Sequence, residues 1–108
     1  MLKIDNNHIY LTKGDTAALQ LTIKNPDGST YEIEEHDRII LNIGYVYEDD
    51  PVITQIFNGN KLILTPEETE KLQFGDYHYE VKLIKSTLTD TILCDGIFTV
   101  GRGFVVYE

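Results

Sequence analysis

The chain has 108 residues, with nine Lys or Arg against eighteen Asp or Glu and a formal net charge of -9 at pH 7. That length suits one domain with a real core, and no boundary is expected within residues 1–108. The acidic balance argues against nucleic-acid binding and against docking on anionic membranes, both of which want clustered Lys and Arg.

No apolar run is long enough to span a bilayer, and the start lacks the pattern of an export signal. The expectation is synthesis in the cytoplasm without export. Cys94 is the single cysteine, so no internal disulfide can form. Seven tyrosines are many for this length, and Tyr and the β-branched residues suit strands.

Residues 2–11 read as a first strand, with a possible break at Asp5-Asn6-Asn7 and with Ile9 and Leu11 on one face. Lys13-Gly14-Asp15 is a turn. Leu19, Leu21 and Ile23 alternate with Gln20, Thr22 and Lys24 in an amphipathic strand. Asn25-Pro26-Asp27-Gly28-Ser29 predicts a hairpin, because Pro presets one dihedral and Gly accepts the left-handed one. Tyr31 and Ile33 continue on the return strand, and residues 34–37 form a polar connector. Ile39, Leu41, Ile43 and Tyr45 share one parity and predict a central strand, which residues 48–51 end. Residues 52–57 and 61–65 then flank Asn58-Gly59, the strongest short hairpin signal in the chain, which predicts a type I′ turn.

The stretch over residues 61–84 reads as strand, helical turn, corner, strand. Thr65 caps a short helix, Pro66 takes its first position, and Glu68 completes a capping box with Thr65. Glu67 and Lys71 stand four apart in the favourable order. Leu72 returns to the core, and Gly75 releases the chain into Tyr77, Tyr79, Val81 and Leu83, all of one parity. Residues 85–90 are turn-like. The last strand runs over 91–100, with a bulge suggested at Asp95-Gly96. Gly101-Arg102-Gly103 loosens the chain before Phe104, Val105, Val106 and Tyr107. The sum is an all-β domain of about seven to nine short strands with one short helical turn near residues 66–72, which suggests a sandwich or a barrel.

Leu72, Gly75, Tyr77 and Tyr79 have the spacing of the tyrosine corner of immunoglobulin-like sandwiches, in which a Tyr hydroxyl returns to backbone just upstream; the resemblance implies an immunoglobulin-like β-sandwich of about seven to nine antiparallel strands. Tyr79 stands where the second cysteine of that fold would be. The chain lacks Trp, so Leu41 or Ile43 is expected at the usual tryptophan site. The order of motifs goes further. Residues 11–16, Asp27-Gly28, Asp37-Arg38-Ile39, the block 64–79 and Gly96-x-Phe98-x-Val100 follow one another in a way that resembles the immunoglobulin-like domains of tail and baseplate proteins in phages and prophages of Gram-positive bacteria, such as the N-terminal domain of baseplate upper proteins. The resemblance implies synthesis in a bacterial host's cytoplasm, a virion location, and partners among other tail proteins or copies of the chain itself, hence a possible homo-oligomer.

Candidate chemistry is thin. His8, His36 and His78 are scattered without zinc-type spacing, and His78 should face away from the core. Cys94 reads as a small buried filler. The acidic groups around residues 32–37, 48–50 and 67–70 carry no calcium-loop pattern, and Glu67 and Glu68 suit a helix N-terminus. Gly101-Arg102-Gly103 lacks the strand–glycine–helix context of a phosphate loop. No catalytic residue, cofactor or metal is therefore expected. Phe104, Val105, Val106 and Tyr107 either extend the domain's own sheet or add a strand to a neighbour. The expected function is a non-catalytic assembly module. The alternative is an immunoglobulin-like binding module of surface or adhesin type for carbohydrate or protein, with Tyr45 or Tyr47 stacking on sugar. An enzyme fits least.

Overall fold

The computed structural model describes residues 2–45, 48, 50–86 and 88–102. In chain order it contains β1 (Leu2–Asp5), β2 (His8–Thr12), β3 (Ala17–Gln20), β4 (Arg38–Gly44), β5 (Pro51–Phe57), β6 (Lys61–Leu64), α1 (Pro66–Glu70), β7 (Gly75–Ile84) and β8 (Thr89–Gly101). A large sheet has the order β1-β2-β8-β7-β4-β5, and a small one pairs β3 with β6. The run β8-β7-β4-β5 follows the G-F-C-C′ order of an immunoglobulin-type sandwich, and β3-β6 follows its B-E pair. The fold is all-β with one short helix, as the strand pattern requires.

The core lies between the two sheets and is built by parity. Ile9 and Leu11 from β2, Ile39, Leu41 and Ile43 from β4, Tyr77, Tyr79, Val81 and Leu83 from β7, and Phe98 and Val100 from β8 are all buried. Ala17 and Leu19 from β3 and Leu62 and Leu64 from β6 close on them from the other layer. Truncating one fully buried member such as Leu64 to Ala should cost about 2–5 kcal/mol.

The possible break at Asp5-Asn6-Asn7 is a full reversal, and three other expectations are corrected, two of them at turns. The strand over residues 2–11 is two strands: Asn6 and Asn7 both hold positive φ (53° and 70°) and reverse the chain, so β1 folds back on β2. That is the turn geometry expected at Asn58-Gly59. There, neither residue has positive φ, and β5 and β6 do not pair; the segment crosses from the large sheet to the small one. Both neighbouring sheets offer better partners: β5 pairs with β4 and β6 with β3. At residues 25–29 the hairpin turn forms, with Gly28 at φ 92° and with Asn25 N–H on Ser29 O and Tyr31 N–H on Ile23 O, but the arms make a single isolated bridge, Lys24 to Thr30, rather than strands. β3 ends at Gln20, and Tyr31 and Ile33 form no strand. Finally, the strands are not all antiparallel. β2 runs parallel to β8, with His8 opposite Ile97 and Tyr10 opposite Thr99.

Two connections set the layers against each other. After β2, Lys13 donates its N–H to Gly101 O and Asp15 to Thr12 O, and the chain steps across to β3. After β6, α1 is capped as expected: Thr65 Oγ1 accepts from Glu68 N–H while the Glu68 side chain accepts from Thr65 N–H. The buried Thr69 hydroxyl lies 2.7 Å from Asp15 O, tying this helix to the first crossing.

Candidate functional site

The corner is built as the spacing implies. Leu72 is fully buried, and Gly75 takes φ 128°, a conformation closed to most side chains. The Tyr77 hydroxyl accepts the N–H of Gln73 at 2.7 Å, four residues upstream. The Tyr77 ring stacks on Tyr45 with centroids 5.1 Å apart. Tyr79 reaches further. Its hydroxyl donates to Asn7 O at 2.5 Å, in the β1–β2 turn, and burial pushes its pKa up. Its ring meets Phe98 edge-on and covers Gly96, where a Cβ would lie 2.5 Å from the ring. Asp95, at φ 59°, forms the bulge beside it, and the β7–β8 register shifts between Tyr79 and Val81. Leu41 and Ile43 are both buried, so either fits the site left by the missing tryptophan.

The outer face of the large sheet carries a cluster that the residue spacing did not reveal. Tyr10, Thr99 and Asp76 are direct cross-strand neighbours on β2, β8 and β7. Thr99 Oγ1 lies 2.6 Å from Asp76 Oδ1 and 2.7 Å from His8 Nε2. A hydroxyl has one proton, and a carboxylate only accepts, so Thr99 donates to Asp76 and accepts from Nε2–H. His8 Nδ1 is then the acceptor for the Tyr10 hydroxyl, 3.1 Å away. The two rings also stack, with centroids 3.9 Å apart and planes 16° from parallel. His8 is thus a half-buried member of a chain of hydrogen bonds rather than a loose strand histidine.

Beside this cluster the surface sinks into a hollow of about 490 Å³, lined by His8, Tyr10, the turn residues Asp5, Asn6 and Asn7, and the β8 segment Leu93, Asp95, Gly96 and Ile97. Asn6, Asn7 and Asp95 are the non-glycine residues with positive φ among the described residues, and all of them border it. A second cleft of about 510 Å³ is lined by residues 20–23 and 30–33 together with Gly59 and Asn60.

Near that cleft, the expected polar connector holds a buried acid. Asp37 accepts from the Tyr31 hydroxyl at 2.5 Å and from Glu34 N–H at 2.9 Å. The Tyr31 hydroxyl, followed by that N–H, draws the Asp37 pKa below its ordinary value. The same hydrogen bond, with burial, pushes Tyr31 up to about 12.

The remaining candidates are dispersed. His36 is exposed, and His78 is half-buried on the face away from the core. No group of three or more His, Cys, Asp or Glu able to hold a metal ion occurs among the described residues. No helix among them is long and apolar enough to cross a membrane. Tyr45, half-buried, stacks one ring face on Tyr77. Tyr47, the Cys94 side chain and Phe104, Val105, Val106 and Tyr107 lie outside the described residues. Comparison with protein-family models, with curated proteins and with solved structures finds no match.

Proposed function

We propose that the chain is a non-catalytic assembly module of a phage or prophage tail apparatus of baseplate type, working through protein–protein contacts. The observation that carries this reading is the corner: Leu72, Gly75 and Tyr77, with the Tyr77 hydroxyl on Gln73 N–H, stand in a motif order that resembles that of those tail domains. The architecture supports it in a second way. Among the described residues the small layer has only β3 and β6, where the immunoglobulin-type layer has four strands. A strand supplied by a neighbour fits such an edge. Phe104, Val105, Val106 and Tyr107 are the donor segment in this reading. The contacts are with copies of the chain or with other tail proteins. Mass spectrometry of purified tail particles from an induced host strain tests it. The chain should be present at a fixed ratio to the tail-tube protein. Intact particles that lack it, or a gene set far from tape-measure and tail-fibre genes, would overturn the reading.

A further inference from the structure

We infer that the hollow beside β2 is a saccharide-binding site, with His8, Tyr10, Asp5, Asn6 and Asp95 as the groups that meet the sugar. The inference stands apart from the tail reading, because it rests on the outer face of the large sheet and needs no partner protein.

The lining has the chemistry a polyol requires. Asp5 and Asp95 supply carboxylate oxygens that accept from sugar hydroxyls, and the amides of Asn6 and Asn7 both donate and accept. Among the described residues no Lys or Arg lines the hollow, though Lys3 Nζ stands 5.8 Å from the Tyr10 ring centroid, and the two carboxylates disfavour phosphate and other anions. His8 and Tyr10, stacked face to face, form one side of the hollow, and Leu93 and Ile97 add apolar surface. The volume of about 490 Å³ holds one or two sugar rings.

The site is also held in place. Asp76 orients Thr99, Thr99 orients His8 Nε2, and His8 Nδ1 holds the Tyr10 hydroxyl, so that side is set before any ligand arrives. Tyr79 takes Asn7 O from below, which anchors the turn on the other side. A hairpin turn explains the backbone of Asn6 and Asn7, and a bulge explains that of Asp95. Neither explains why these left-handed positions converge on one concavity faced by an ordered Tyr–His pair. Backbone of this kind concentrates at binding sites, where surrounding structure holds it.

The test is amide chemical-shift mapping of the full chain titrated with glucose, galactose, N-acetylglucosamine, N-acetylgalactosamine and their β-linked disaccharides. At least one probe should shift amides of residues 5–10 and 93–99 in a saturable manner. Asp95→Asn and Tyr10→Ala should each weaken that binding by roughly tenfold or more, the loss expected for one hydrogen bond to a charged group or one ring contact. Thr99→Val should weaken it less while leaving Asp95 in place, as suits a positioning residue. Unchanged spectra elsewhere report that each variant keeps the fold. Saturable shifts confined to another surface, binding indifferent to Asp95→Asn and Tyr10→Ala, or no shift with any probe would overturn the proposal. So would shifts produced equally by spermidine, which would reduce the hollow to an acidic patch.

Discussion

Tyr77 and Tyr79 sit two residues apart on β7 and do different work. Tyr77 closes a local loop by accepting Gln73 N–H, whereas Tyr79 joins elements 72 residues apart through Asn7 O. Tyr77→Phe removes one hydrogen bond of ordinary strength and should cost about 1 kcal/mol in urea melts, with the fold retained. An unchanged midpoint and slope would contradict the corner. Gly96→Ala pushes a methyl group toward the Tyr79 ring, which is hemmed in by Phe98. The expected cost is about 1–3 kcal/mol, typical of overpacking, read from the same melts. A neutral result would mean that the ring has room to move. These residues differ in how far the sequence reveals them. The Leu72, Gly75 and Tyr77 spacing is local and was legible. The fit of Tyr79 over Gly96 depends on the β7–β8 register and was not.

At the scale of elements, capping chemistry read true and turn chemistry only in part. The Thr65–Glu68 box sits where its residues place it, because all its partners lie within one helical turn. Asn58-Gly59 has the best hairpin composition but joins two sheets, since pairing is decided by which strands have apolar faces to bury. Asn6-Asn7 has weaker composition and makes the left-handed turn. The 31–37 segment shows how a polar run can hide a buried group. Asp37 and Tyr31 share one hydrogen bond, and its pH dependence follows from the two shifts. Asp37 has a folded pKa below 3.8, so its contribution is present above pH 3.8 and lost as pH falls through the folded value. Tyr31 moves from 10.0 to about 12, so its contribution is complete below pH 10 and lost as pH rises toward 12. The stability difference between the wild type and Tyr31→Phe should therefore be flat at neutral pH and narrow at both extremes. Urea midpoints measured across pH give the answer. Tyr79 titrates late in both proteins and cancels in the difference. A difference that stays constant through both windows would contradict the pairing.

For the whole molecule, the sequence made the all-β class, the parity of the core strands and the single helix readable, because each follows from a period or a cap. The parallel β2–β8 pair and the His8–Thr99–Asp76 chain were not, because they join positions up to 91 residues apart by register alone. What the molecule offers to partners is sheet edge. β5 borders the large sheet with Val52 and Ile56 exposed, and β6 carries an exposed Ile63. Such edges invite strand pairing unless something covers them. If the chain is an assembly piece, association should depend on a strand donor, and the account names residues 104–107. Sedimentation velocity of the full chain over a range of concentrations, beside a form lacking residues 104–108, tests this most directly. The account predicts a concentration-dependent oligomer for the full chain and a monomer for the shortened one. A full chain that stays monomeric at every concentration, or an oligomer indifferent to the deletion, would contradict it.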